Sequence, residues 1–130
     1  MINMPASQSN MRLHLQYRLW IAELNSDITV LRIFDDHLAQ LSGIKAKAET
    51  RRILEDFSKG FSDARKEIDE LKHEMHLVKM KLAANIRLPE AEQQNAASPN
   101  NHPAVDKRYR SFRKKFDSLK KDFLEFEAQG

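Results

Sequence analysis

Glu70, His73 and His76 are the best candidates in the sequence for metal chemistry. They stand three residues apart along a predicted helix, a spacing that di-iron bundles use to aim a carboxylate and an imidazole inward. Glu70 and His73 lie off the apolar stripe of that helix, however, and no second motif of this kind accompanies them. We therefore predict that these side chains face solvent, and we keep a metal-binding helical bundle only as an alternative.

No other set of residues has the types and spacing of a catalytic or cofactor site. There is no glycine-rich phosphate loop, nucleophile elbow or serine–histidine arrangement. His14, His37 and His102 are isolated from one another, and the absence of cysteine excludes disulfides and thiolate zinc sites. We predict that the protein is not an enzyme, has no catalytic or metal-ligating residue and uses no cofactor.

Positive charge is clustered in the C-terminal region. Eight basic and two acidic residues lie between Asp106 and Lys121, although the net charge of the whole chain is +3. The candidate polyanion-binding residues are Lys107, Arg108, Arg110, Arg113, Lys114 and Lys115. Such a cluster binds phosphate backbones in a salt-sensitive way, but the aromatic residues Tyr109, Phe112 and Phe116 lie on the apolar stripe and are not free to stack on bases. The alternatives are a solvated helix face paired with nearby acidic side chains and a surface for anionic membranes.

Asp27 is a charged residue at a position where the surrounding pattern calls for an apolar side chain. A lone carboxylate is costly to bury unless it is paired. We expect the helix to rotate slightly, so that Ile28 takes the core position and Asp27 lies at the edge. The alternative is a buried polar group that fixes the register or the oligomeric state of the helices.

The elements that position these residues are indicated by apolar side chains recurring at alternating steps of three and four. In the first predicted helix the stripe includes Leu13, Tyr17, Trp20, Leu24, Leu31, Phe34, Leu38 and Leu41. In the second it comprises Leu54, Phe57, Phe61, Ala64, Ile68, Leu71, Met75, Val78 and Leu82. In the third it comprises Val105, Tyr109, Phe112, Phe116, Leu119, Phe123 and Phe126. A strand would need a period of two, whereas this spacing gives one stripe per helix and favours left-handed knobs-into-holes packing.

The predicted helices span about residues 8–42, 47–85 and 104–128, with a proline- and asparagine-rich linker over 86–103. Gly43 is expected to end the first helix in the left-handed conformation. The short turn that follows makes the first two helices an antiparallel hairpin. We predict one domain of the all-α class, an antiparallel coiled-coil-like three-helix bundle in which a shorter third helix packs into the hairpin. The linker is long enough to leave the direction of that helix open.

Apolar residues outside these stripes predict a further contact. Ala22, Val30 and Ile33 lie on the back of the first helix, and Leu77 and Met80 lie off the stripe of the second. Single apolar side chains are ordinary on protein surfaces. Several of them on helices that already carry a strong stripe favour a partner interface, formed with a second copy or with another helical protein.

Two short segments resemble a group of small uncharacterised α-helical proteins of Bacteroidota. The first runs from Trp20 to Leu24, with Ile28, Leu31 and His37-Leu38 after it, and the second runs from Arg65 through His73 to Glu74. The resemblance covers the first two helices and neither the linker nor the third helix. It implies a helical bundle of bacterial cytosolic origin, and it brings no activity and no functional residue.

The leading hypothesis for function is a non-enzymatic structural or protein-interaction module that self-associates. The alternative is nucleic-acid or polyanion binding through the basic third helix. No apolar run approaches the ~20 residues that a membrane span needs, and no basic residue precedes Arg12. We therefore expect no transmembrane segment and no secretory signal, and a cytoplasmic location.

Overall fold

The computed structural model describes residues 6–44, 47–93 and 102–129. Four helices follow one another in this part of the chain: α1 (Ala6–Ser42), α2 (Ala48–Ile86), the single-turn α3 (Glu90–Gln93) and α4 (His102–Gln129). The described residues contain no strand. The predicted all-α, three-helix bundle is thus confirmed, with each long helix within about two residues of its expected bounds. Residues 94–101 of the predicted linker lie outside the described residues.

The helices α1 and α2 form the antiparallel hairpin that the short turn predicts. The rings of Phe34 in α1 and Phe61 in α2 lie 5.6 Å apart near the turn, and Asp35 of α1 forms an ion pair with Arg65 of α2. At the other end of the hairpin, the beginning of α1 faces the end of α2. The helix α1 contacts both α2 and α4, since Phe34 lies against Phe61 of α2 and Phe123 of α4.

The direction of α4, which the sequence leaves open, is parallel to α1. The Tyr17 hydroxyl oxygen lies 2.6 Å from Nδ1 of His102 at the start of α4, and the ring of Phe34 lies 4.9 Å from that of Phe123 near its end. Relative to α2, α4 is antiparallel, so consecutive long helices alternate in direction. The linker therefore starts and ends at the same end of the bundle.

The core consists of the three predicted stripes together with Ile21. Its buried apolar residues are Tyr17, Ile21, Leu24, Leu31, Leu38, Leu54, Phe61, Ile68, Leu71, Met75, Val78, Leu82, Val105, Tyr109, Phe112, Phe116 and Phe123. The remaining stripe residues are half-buried against this cluster. Burying one stripe per helix stabilises the bundle by the removal of apolar surface from water. Knobs-into-holes packing along the stripes stays a prediction.

Two glycines behave differently from each other. Gly60 lies where α4 approaches α2, because a Cβ atom at this position would come within 3.1 Å of Leu119. The prediction for Gly43 was wrong, since no described glycine has a positive φ angle. The helix α1 ends instead in a tighter turn, in which the amides of Gly43 and Ile44 donate to the carbonyls of Gln40 and Leu41.

None of the described helices combines the length and the apolarity that a membrane crossing requires.

Candidate interaction surfaces

Asp27 of α1 and Arg113 of α4 form a bidentate ion pair inside the bundle. Nη1 of Arg113 donates to Oδ2 of Asp27 over 2.7 Å, and Nη2 donates to Oδ1 over 3.1 Å. The side chain of Asp27 is 6% exposed and that of Arg113 is 19% exposed. A bidentate pair of an arginine and a carboxylate is strong, and it forms only in a specific geometry. The expectation that Asp27 lies at the edge was therefore wrong, and Ile28 is only half-buried.

Glu23 and Tyr109 extend this pair into a network of four side chains. Oε1 of Glu23 lies 3.0 Å from Nη1 of Arg113, and the Tyr109 hydroxyl donates to Oε2 of Glu23 over 2.5 Å. Burial and this hydrogen bond raise the pKa of Tyr109 above its ordinary value. Burial lowers the pKa of Arg113, but its hydrogen bonds to Asp27 and Tyr109 raise it more, so the net pKa is above the ordinary value. The partners of Arg113 therefore favour its charged form.

Rings surround the network on both helices. The Trp20 indole stacks on Tyr109 with ring centroids 4.7 Å apart, and the Arg113 guanidinium lies 5.7 Å and 5.3 Å from the ring centres of Phe112 and Phe116. These contacts shield the ion pair from water, which strengthens its attraction and raises the cost of breaking it.

The basic cluster predicted for polyanion binding is divided by these contacts. Arg113 points into the bundle, and Arg108 turns towards α2, where its guanidinium donates to Glu74 over 2.6 Å and lies 3.5 Å from Glu70. Both arginines already have carboxylate partners. Polyanion binding by these two arginines stays a prediction.

Four members of the cluster lie on the exposed side of α4. Lys107, Arg110, Lys114 and Lys115 are all exposed. Arg110 pairs with Asp106 over 2.9 Å while 71% of its side chain remains exposed, and the Lys115 ammonium lies 3.9 Å from Glu67. As the sequence predicts, the neighbouring aromatic rings are buried and do not form a stacking platform.

The candidate metal motif lies on the outside of α2. Glu70, His73 and His76 are all exposed, and Glu70 is within reach of Arg108. Over residues 6–44, 47–93 and 102–129, no group of three or more histidine, aspartate or glutamate side chains is arranged to hold a metal ion.

The five candidate interface residues lie on two helices, and four of them are exposed. Val30 is half-buried and packs against the core. Ala22 and Ile33 are exposed on α1, Ile33 by 59%, while Leu77 and Met80 are exposed on α2 by 48% and 66%.

Sequence reasoning missed the residues that join Ala22 and Ile33 into a continuous stripe. Leu15 and Leu19 are exposed by 52% and 61%, and both lie on the same outer face of α1. We call this face the outer stripe, and its residues are Leu15, Leu19, Ala22, Ser26, Thr29 and Ile33, all exposed. Their steps of four and three repeat the spacing of the core stripe on the opposite side of the helix. That spacing is the signal by which the sequence could have revealed them.

No family model matches the chain, and no curated protein or solved structure matches it significantly. The resemblance of the first two helices to small helical proteins of Bacteroidota stays a prediction.

Proposed function

We propose that this protein is a non-enzymatic interaction module that self-associates through the outer stripe of α1. The observation that carries the proposal is a second set of uncharged residues at 3.5-residue spacing, on a face that the bundle itself leaves in water. A cytoplasmic location belongs to the same proposal, and the absence of cysteine fits it.

The spacing supports a helical partner. Residues that recur at alternating steps of three and four stay on one side of a helix and match an identical stripe on a second helix. Leu15, Leu19 and Ile33 supply the apolar contacts, while Ala22 and Ser26 allow the two backbones to approach closely. The stripe comprises the 19 residues from Leu15 to Ile33, whose 18 steps span ~27 Å at ~1.5 Å per residue.

The charges along and beside the stripe complement those of a second copy. Arg18 and Arg32 lie along one edge, and Glu23 lies along the other. In a parallel pair, Arg18 of one copy lies beside Glu23 of the other, because flanking positions five residues apart are neighbours. Glu23 is 49% exposed even though it contacts Arg113. In an antiparallel pair, Arg18 would face Arg32, but Arg12 and Asp36, which continue the spacing of the stripe at its two ends, would face each other.

Sedimentation velocity of the full chain tests this proposal. We expect the wild type to sediment above the mass of one chain at tens of micromolar, and Leu19→Lys or Ile33→Lys to sediment as a monomer with an unchanged helical spectrum. Leu124→Lys is the matched control, because Leu124 is 57% exposed on α4 and lies outside the stripe. A monomeric wild type would refute the proposal, as would an assembly that both stripe variants keep.

Polyanion binding by α4 is the second candidate. Lys107, Arg110 and Lys114 lie at steps of three and four on the exposed side of the helix, so their positive charges are on the same face. Binding to a nucleic acid should weaken steeply with salt and with Arg110→Ala plus Lys114→Ala. Arg113 is left unchanged because its substitution would disrupt the buried network. Absence of binding at low salt would eliminate this candidate.

A further inference from the structure

An open groove lies at the end of the hairpin where α1 begins and α2 ends. It has a volume of about 650 Å³, and its apolar lining comes from Met11 and Leu15 of α1 and from Ala83 and Ile86 of α2. Met11 is 57% exposed. The two helices thus form parallel walls with apolar surface between them.

The residues that line this groove include basic side chains and no acidic one. The segments 6–22 of α1 and 75–88 contain no acidic residue. Their basic residues are Arg12, Arg18, Lys79, Lys81 and Arg87. Of these, Arg12, Arg18 and Arg87 line the groove. The adjoining acidic residue on α2, Glu74, is bound to Arg108, and the next along the chain, Glu90 and Glu92, belong to α3, which packs against α1.

The histidines near the groove respond to this charge. Burial lowers the pKa of His14, and the charges of Arg18 and Lys79 lower it further. Burial likewise lowers the pKa of His76, with additional effects from Lys79 and Lys72. Arg18 and Lys79 therefore bring positive charge to this end of the hairpin.

We infer that this groove binds an amphipathic helix of a partner protein, with apolar residues on one side and aspartate or glutamate along its edges. A trough between two packed helices fits a third helix, as α4 demonstrates where it packs against the same hairpin. A basic rim selects acidic edges through charge complementarity. The groove is concave, which suits a helix better than the flat surface of a membrane. This site borders the outer stripe, with which it shares Leu15 and the flanking Arg18, but Arg12, Ala83 and Arg87 belong to the groove alone.

A displayed library of helical peptides tests the inference on the full-length protein. Apolar residues are held at steps of three and four in every peptide, and the edge positions vary among acidic, basic and neutral residues. We expect selected peptides to be enriched in aspartate and glutamate at the edges. Arg12→Glu combined with Arg87→Glu should weaken a selected peptide at least tenfold and shift the selection towards basic edges.

Two control variants separate groove binding from general charge attraction. Lys59→Glu combined with Lys121→Glu makes the same change in net charge at exposed positions elsewhere and should leave affinity within twofold. Ala83→Phe fills the groove without altering charge and should also weaken binding tenfold. Circular dichroism confirms that each variant is folded.

Several outcomes would overturn the inference. One is that the selected peptides show no enrichment in aspartate or glutamate at their edges. Another is that the groove variant and the control charge-reversal variant lose binding equally. The groove would be assigned to membranes instead if phosphatidylcholine–phosphatidylserine vesicles bound through Arg12 and Arg87 while no peptide was selected.

Discussion

The two halves of the interface between α1 and α4 are built from different chemistry. Towards the beginning of both helices, it contains the Asp27–Arg113 ion pair, Glu23, and both tyrosines of the chain. Towards their ends, α1 and α4 meet α2 in a cluster of five of the seven phenylalanines, which are Phe34 of α1, Phe57 and Phe61 of α2, and Phe123 and Phe126 of α4, with neighbouring ring centroids 4.9–6.1 Å apart.

The two halves contribute differently to the stability of the bundle and to the axial alignment of α4. Rings gain most of their free energy from apolar burial, which is non-directional and changes little when a helix slides by a fraction of a turn. A bidentate ion pair requires one axial alignment, because its two hydrogen bonds form only when the forks of Asp27 and Arg113 meet. We therefore interpret the aromatic half as the larger source of stability and the polar half as the element that aligns α4.

The largest expected effect on the free energy of unfolding comes from a substitution in the aromatic half. Phe123→Ala removes a ring that lies within 5.2 Å of the rings of Phe34, Phe57 and Phe61. The free energy of unfolding should fall by about 3–5 kcal/mol, through lost burial and the cavity left behind. Urea denaturation followed by circular dichroism measures this change. Leu124→Ala, at an exposed position on the same helix, should alter stability by less than about 0.5 kcal/mol; similar losses in the two variants would contradict the assigned core.

A somewhat smaller effect is expected in the polar half. Arg113→Ala leaves Asp27 buried without its main partner, and the free energy of unfolding should fall by about 3 kcal/mol. Arg110→Ala removes an exposed arginine from the same helix and should cost less than about 1 kcal/mol.

The double variant Asp27→Leu plus Arg113→Met sharpens the comparison. Because both charges are removed together, it should recover most of the stability lost in Arg113→Ala. If the ion pair aligns α4, the double variant should also show broadened or multiple amide resonances at wild-type helix content. A single sharp set of resonances would argue that the aromatic half alone determines the alignment.

The smallest expected effect concerns pH and tests the tyrosines of the polar half. Burial, with a contribution from Asp106, raises the pKa of Tyr17 to about 12, and the pKa of Tyr109 is raised as well. An unfolded tyrosine loses its proton near pH ~10. The folded state therefore holds more protons above that pH, so stability is complete below pH ~10 and declines as pH rises towards 12.

Tyrosinate absorbance during an alkaline titration checks this prediction. Little ionisation should occur near pH ~10 in the folded protein, whereas the urea-unfolded chain should ionise there. Tyr17→Phe should show a shallower loss of stability above pH ~10. Ionisation of both tyrosines near pH ~10 in the folded protein would contradict their burial.

The candidate site was only partly predictable from the sequence. The positions of Lys107, Arg110 and Lys114 on an exposed face follow from helical spacing alone. The withdrawal of Arg113 and Arg108 from that face does not, because their partners Asp27 and Glu74 are distant in sequence and become neighbours only when α4 packs. The outer stripe was visible as a pattern, but whether Leu15 and Leu19 are covered depends on how many helices surround α1.

The sequence by itself determined the class of the fold and the face that each long helix buries. Apolar spacing is a local property, and burying the apolar face is favourable in any arrangement of the helices. Only the tertiary structure decided that α4 runs parallel to α1, that Asp27 is buried against Arg113, and which apolar and basic residues remain on the surface. Each of these depends on contacts between distant segments, and a stripe of apolar residues is satisfied equally well by either direction of its partner.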